Sequence, residues 1–336
     1  MQVKIKKAIE MIAQYIKSRL VPMIEGPPGI GKSEIVKQVA KRYGLKVIDL
    51  RLSQCDPTDL LGFPNILGKK AGYVPMETFP IEDDPIPEGY NGWLIFLDEF
   101  SSAPPAVQAA AYKLVLDRMV GVHRLHRNVA IVCAGNRETD NAIVHPMSTA
   151  LQSRLAHMEL VVDALEWGEW AELNGIHHYI TDYLKFKPGV IYTFQPDHTD
   201  KTYACPRTWE FASRLMHNNE GDENLLELLS GVLSEGVARE FLTYCKVYES
   251  LPKREQLLNS PETIPVPKEP SILYALSGTV SHNASIDNFD KLAKFVVRLP
   301  MEFQVVTMRE TVRRNKDMLA HPAIQKWLND SAVKIF

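Results

Sequence analysis

The sequence predicts an α/β fold, a Rossmann-like parallel sheet carrying a phosphate-binding loop, followed by helices to the end of the chain. Three observations predict it. Short apolar runs alternate with helical periodicity over residues 1 to about 163. One of those runs leads straight into Gly26-Pro27-Pro28-Gly29-Ile30-Gly31-Lys32-Ser33, a G-x-x-x-x-G-K-[ST] pattern expected by chance in about one chain in a hundred of this length. After about residue 163 the strand pattern stops and helical spacing takes over.

Taken in order, the N-terminal residues lack the apolar stretch of a secretion signal. They predict an amphipathic helix with Ile5, Ile9, Ile12, Ala13 and Ile16 on one face. Residues 21–25 predict a buried strand. Residues 34–43 predict the helix after the loop, stopped by Gly44. Further strands are expected at 46–50, 93–97, 129–134 and 157–162, with apolar runs that suit strands covered on both faces. A second helix is expected at 105–119, started by Ser102 and the Pro104-Pro105 pair. Residues 55–92 read as a long irregular insert. Within it, Asp56 to Gly62 reads as a capped short helix ending at glycine.

Beyond the sheet, Asp163 is placed to cap a helix over 164–174, with Gly175 as its stop. More helices are expected near 179–186, 206–218, 223–231, 234–248, 289–299 and 308–318. The proline-rich stretch 252–270 reads as a surface connector. The expected division is an α/β nucleotide-binding domain at 1–163, a helical lid at 164–250 and a helical extension at 251–336.

Of 336 residues, 45% are hydrophobic and 24% charged, the profile of a soluble globular protein. Lys and Arg number 38 against 41 Asp and Glu, for a net charge of −3. That balance argues against a dedicated nucleic-acid binder. Cys55, Cys133, Cys205 and Cys245 form no C-x-x-C pair, which suits reduced thiols rather than a zinc site or a disulfide framework. No run approaches the ~20 apolar residues of a bilayer span. A cytoplasmic protein without a membrane partner is expected.

The chemistry starts at the loop. Its glycines let successive backbone N–H groups converge on phosphate beside a helix N-terminus, which favours anions. Residues Gly26 to Ser33, with Glu34, are therefore the candidate ATP/ADP-binding segment. Lys32 would reach the β- and γ-phosphates, and the Ser33 hydroxyl would ligate Mg²⁺. The strand at 93–97 ends in Asp98 and Glu99. Asp98 stands where a Mg²⁺-associated carboxylate is needed, and Glu99 where a base could polarise the attacking water. The strand at 129–134 leads to Asn136, which would lie beyond the carboxyl ends of the strands, able to orient that water.

Loop, Asp-Glu strand, strand ending in Asn, then Arg154 and Arg207, in this order, resemble an AAA+ ATPase over residues 18 to 215. Within that superfamily the chain most resembles the MoxR-like group, relatives of the magnesium-chelatase motor subunit and the dynein-related ATPases. Asp56-Pro-Thr-Asp-Leu-Leu-Gly62 and Gly72-Tyr73-Val74-Pro75 are similar to that group's insert, and residues 118–127 lie where it has a β-hairpin. The resemblance implies Walker A roles for Lys32 and Ser33 and Walker B roles for Asp98 and Glu99. It implies a sensor role for Asn136, an arginine-finger role for Arg154 and a second-sensor role for Arg207. Where many relatives place proline after the sensor Asn, this chain has Arg137, which leaves Arg137 and Arg154 both open as the finger.

The resemblance also implies a homo-oligomeric ring, most simply a hexamer. It implies chaperone-like remodelling of a protein partner, which in relatives often carries a von Willebrand factor A domain. The alternative is a nucleic-acid motor or an accessory ATPase of replication or recombination. Elsewhere the plainer readings hold. His177-His178 lacks ligand spacing for a metal, His123 and His126 read as solvated, and Trp167 with Trp170 reads as a core stripe. Lys69-Lys70 beside Tyr73 reads as a solvated loop.

Overall fold

In the computed structural model, which describes residues 1–67, 70–140, 144–218, 224–249 and 251–335, contacts divide the chain into two compact units. The first comprises Met1–Trp167, Tyr192–Asp200 and Cys205–Arg207. The second comprises Gly168–Ile191, Lys201–Ala204 and Thr208–Phe336.

Strands of the first unit are β1 Gln2–Val3, β2 Val21–Glu25, β3 Leu45–Arg51, β4 Phe63–Leu67, β5 Lys70–Val74, β6 Gly92–Asp98, β7 Met119–Val120, β8 His123–Arg124, β9 Val129–Gly135 and β10 Leu155–Leu160. Its early helices are α1 Ile5–Lys17, α2 Lys32–Tyr43, α3 Pro57–Leu61, α4 Pro105–Asp117 and α5 Thr149–Gln152. Six strands form one all-parallel sheet in the order β1-β10-β2-β9-β6-β3.

The apolar runs sort by alternation into two cores. Met23, Ile95, Leu97, Ile131 and Cys133 face α4. Ile24, Leu94, Phe96, Val132 and Ala134 face α1 and α2. This matches the expectation of strands covered on both faces for β2, β6 and β9. It fails for β3, which is a sheet edge and carries exposed Lys46, Asp49 and Arg51; the charges suit an edge that must not pair further.

Three other expectations are corrected. The chain starts with a two-residue strand, β1, which extends the sheet beside β10 before α1 begins. Strand β10 begins at Leu155 rather than 157 because Leu155 already pairs with Val21. The insert is not irregular throughout: β4 and β5 form an antiparallel hairpin with Phe63, Ile66 and Tyr73 exposed. The alternation rule misses it because neither face of that hairpin is buried. Ahead of it, the Asp56 capping box is present, with Asp56 N–H donating to the Asp59 carboxylate at 2.8 Å.

The helices that follow are α6 Ala164–Leu173, α7 His178–Phe186, α8 Pro206–Asn218, α9 Leu225–Leu233, α10 Glu235–Glu249, α11 Arg254–Asn259, α12 Pro270–Asn283, α13 Phe289–Val296, α14 Met301–Arg314 and α15 Pro322–Ile335. Asp163 caps α6 as expected, accepting from Glu166 N–H at 2.9 Å. The proline-rich stretch contains α11, and α12 and α15 were not expected. Pro270 and Pro322 are each the first helical residue, where a missing N–H costs nothing. No helix among the described residues is long and apolar enough to cross a membrane.

The second unit packs Tyr183, Trp209 and Phe241 against one another, with centroids 5.3–5.9 Å apart. Next to this core His177 and His178 stack at 4.7 Å. His178 stacks on His282 at 5.0 Å and His177 leans on His217 at 5.1 Å. Burial, then the neighbouring His217, pushes His177 down to about 4. Burial, then the surrounding imidazoles and Arg314, pushes His178 to about 3. Both lie below the unfolded value, so the unfolded chain takes up protons first as pH falls. The stability these rings contribute is present above about pH 6.5 and lost as pH drops below it. Lowering pH from 7 to 5 should reduce the thermal midpoint, and His178→Phe should flatten that dependence. A parent and variant with parallel pH profiles would refute the role of the histidines.

Candidate active site

The site grows from the ends of three adjacent strands. Strand β2 delivers Gly26, whose N–H reaches back to Gly135 O at the end of β9 at 3.3 Å. The chain then turns through Gly29 and Gly31, with φ of 78° and 99°, a region that favours glycine. At Gly29 a second constraint operates: a Cβ there would lie 2.4 Å from Cys205 Sγ. Lys32 and Ser33 open α2 directly after the turn, so the loop's N–H groups and the helix N-terminus share one focus.

Lys32 Nζ donates to Asn136 Oδ1 at 2.9 Å, to Gly26 O at 2.5 Å and to Pro27 O at 3.1 Å. Burial lowers its pKa to about 8. The charges of Asp98 and Asp140 oppose that shift, and those of Arg207 and Arg137 add to it. Ser33 Oγ donates to Asp98 Oδ2 at 3.0 Å. The other Asp98 oxygen accepts Glu99 N–H at 2.8 Å. Glu99 itself sits at φ 55°, a left-handed conformation that costs a non-glycine residue about 1 kcal/mol or more. Its carboxylate accepts a short hydrogen bond from Ser53 Oγ.

Lys32, Ser33, Asp98, Glu99 and Asn136 are therefore brought together at the carboxyl end of the sheet. Arg207 joins them through its backbone, its N–H donating to Gly29 O at 3.2 Å. Arg154 does not join them. It precedes β10, donates to Ala150 O at 2.6 Å and lies over the Tyr112 ring, 5.4 Å from its centroid. Arg137 points elsewhere too: Asp140 holds it at 2.6 Å and Glu159 at 2.7 Å.

Sequence reasoning missed Ser53 and Asp140. Ser53 follows β3, whose Arg51 pairs with Asp98, so a polar residue just past the neighbouring strand end was the available signal. Asp140 stands three residues after Arg137 in a turn and accepts its backbone N–H at 3.0 Å. His126 is half-buried and stands edge-on to Trp93 at 5.1 Å. Lys69 lies outside the described residues. Hard oxygen donors, Ser33 and Asp98 side by side, fit Mg²⁺, which needs few protein ligands when phosphates supply the rest. No cluster of three or more His, Cys, Asp or Glu side chains suited to a metal occurs among the described residues.

Residues 22–155 match the AAA domain, dynein-related subfamily. The match covers less than half of the chain. It runs from β2 to the first residue of β10, and the fold is of the P-loop AAA+ class, with a helical C-terminal region. No curated protein matches the sequence. Among solved structures, a point mutant of Thermotoga maritima RuvB is 13% identical, covers 88% of this chain and 87% of its own, and has a TM-score of 0.40. Brucella abortus NtrX in complex with ADP is 15% identical, with 97% and 68% covered and a TM-score of 0.40. Aeropyrum pernix ORC2 is 15% identical, with 75% and 72% covered and a TM-score of 0.41. Likeness at these values says nothing of substrate or partner.

Proposed function

We propose that the chain is an ATP-hydrolysing AAA+ ATPase of the MoxR-like kind, acting in a homo-oligomeric ring to remodel or activate a protein partner. One observation carries the hydrolytic reading: the Lys32 ammonium meets Asn136 across two strand ends while Ser33 meets Asp98. Three separate segments thus present a phosphate cation, a hydroxyl–carboxylate pair and an amide to the same place, and Glu99 adjoins them. In this reading Lys32 and the loop N–H groups hold the phosphates, and Asn136 and Glu99 position and deprotonate water. Ser33 and Asp98 would hold Mg²⁺, which neutralises charge on the phosphate oxygens when bound. The protein partner, including one with a von Willebrand factor A domain, is supported by resemblance and by the exposed Phe63, Ile66 and Tyr73 of the insert hairpin.

Lys32→Ala should weaken ATP binding by about 10- to 100-fold, the value of one or two charge-assisted hydrogen bonds, with the thermal midpoint little changed. Unaltered ATP affinity by titration calorimetry would remove the assignment. A pH series tests the same contact. The free Lys32 loses its proton as pH rises through about 8, and bound phosphate favours the charged form. Affinity should be flat below pH 8 and fall above it, by at most about tenfold per pH unit. The Lys32→Ala protein should lack that alkaline limb.

A further inference from the structure

At the other end of the sheet from the phosphate loop, where β3, β6 and β9 begin, lies a cleft of about 540 Å³. Lys17, Arg19, Arg118, Arg124 and Arg127 line it, against the two carboxylates Glu82 and Asp117. Its floor is aliphatic, built from Ile16, Leu45, Leu125 and Val129. Among the described residues, none of the five cations forms an ion pair with a carboxylate. Such a concentration of unpaired charge stands out on a chain whose net charge is −3.

Two of the cations are held in place at a cost. Arg19 and Arg118 have φ of 58° and 52°, where glycine would be less strained. Arg19 ends α1 with the paired hydrogen bonds of a glycine-type stop, Leu20 N–H to Tyr15 O at 2.9 Å and Arg19 N–H to Ile16 O at 3.0 Å. Arg118 ends α4 and donates to Val129 O at 2.8 Å and to Arg19 O at 3.2 Å. The half-buried guanidinium is thereby fixed beside a second arginine. Its pKa is lowered by burial and then by the Arg19 charge, with no acidic group offsetting either. Helix dipoles account for a cation at each of these two helix ends. They do not account for Arg124 and Arg127, which arrive from β8 and the turn before β9.

We propose that this cleft binds an acidic peptide segment, its Asp or Glu side chains on the arginine rim and an aliphatic residue on the floor. A planar guanidinium fork donates two parallel N–H bonds to one carboxylate, and the volume suits a few extended residues. A single-stranded nucleic acid stacks its bases on aromatic faces. The lining offers one ring, His126, already edge-on to Trp93. The site is remote from Lys32 and stands or falls separately from the hydrolytic reading.

The test is fluorescence anisotropy of a labelled Asp/Glu/Leu hexapeptide with the full chain, in low and in physiological salt. Saturable binding should weaken by about tenfold or more in Arg124→Glu/Arg127→Glu, and with added salt. Lys32→Ala should bind the peptide as the parent does. Both substituted arginines are exposed, so the double variant should keep the parent's thermal midpoint. Should it unfold instead, Arg124→Gln and Arg127→Gln tested singly must each weaken binding. Parent-like binding by a folded variant, or no binding by the parent, overturns the proposal. A single-stranded oligonucleotide that displaces the peptide at lower concentration overturns the choice of ligand.

Discussion

Glu99→Gln should bind ATP like the parent and hydrolyse it about 10²–10⁴-fold more slowly, the usual loss for a general base. The amide matches the carboxylate in shape and still accepts from Ser53, so the loop and the Ser33–Asp98 contact remain. What disappears is the capacity to take a proton from water. The backbone supports this role. A residue at φ 55° directly after a buried strand is held against strain, and its carboxylate is engaged by Ser53 from the neighbouring strand end. Ser53→Ala supplies a control that touches only orientation. It should alter turnover with little change in ATP affinity, and by less than Glu99→Gln does. Single-turnover hydrolysis with radiolabelled ATP measures both. If Glu99→Gln turns over like the parent, the base is another group, and Asp98 loses its assignment with it.

The parts legible in the sequence were those with a strong local code. The phosphate loop carries its chemistry in its residue types, and strands β2, β6 and β9 were legible because burial on both faces leaves them few polar residues. Asn136 and Asp98 followed from position at strand ends. What could not be read depends on partners far away in sequence. Ser53 is an ordinary serine until β3 pairs with β6. Arg137 is a plausible finger until Asp140 and Glu159 take both sides of its guanidinium. The histidine cluster joins the adjacent His177 and His178 to His217 and to His282, dozens of residues further along the chain, and no spacing rule reaches that far. The β4–β5 hairpin escaped for the opposite reason, since with both faces open its apolar residues follow no burial pattern.

Arg154→Ala should keep ATP binding and lose hydrolysis by about 10³–10⁵-fold, the contribution of an arginine that stabilises phosphoryl-transfer charge. The residue's position says how it must act. Leu155 pairs with Val21, the first residue of β2, whereas the phosphate loop leaves β2 after Glu25 at the far end. Five residues of strand separate them, about 16 Å at 3.3 Å per residue, beyond the reach of an arginine side chain. Arg154 is exposed and, among the described residues, held only by Ala150 O, Ser153 Oγ and the Tyr112 face, so its guanidinium can turn outward. Arg137, by contrast, is closed off by two carboxylates. In the proposed ring, Arg154 would therefore reach the γ-phosphate of a neighbour rather than its own. Mixing Arg154→Ala with Lys32→Ala subunits should restore part of the activity that each lacks alone, because an intact loop from the first then faces an intact arginine from the second. Mixed assembly is established by mass photometry with differently sized tags. If mixed rings form and no ratio of the two recovers turnover, Arg154 is not the finger. Arg137 would then have to leave Asp140 to serve, and Arg137→Ala becomes the decisive variant.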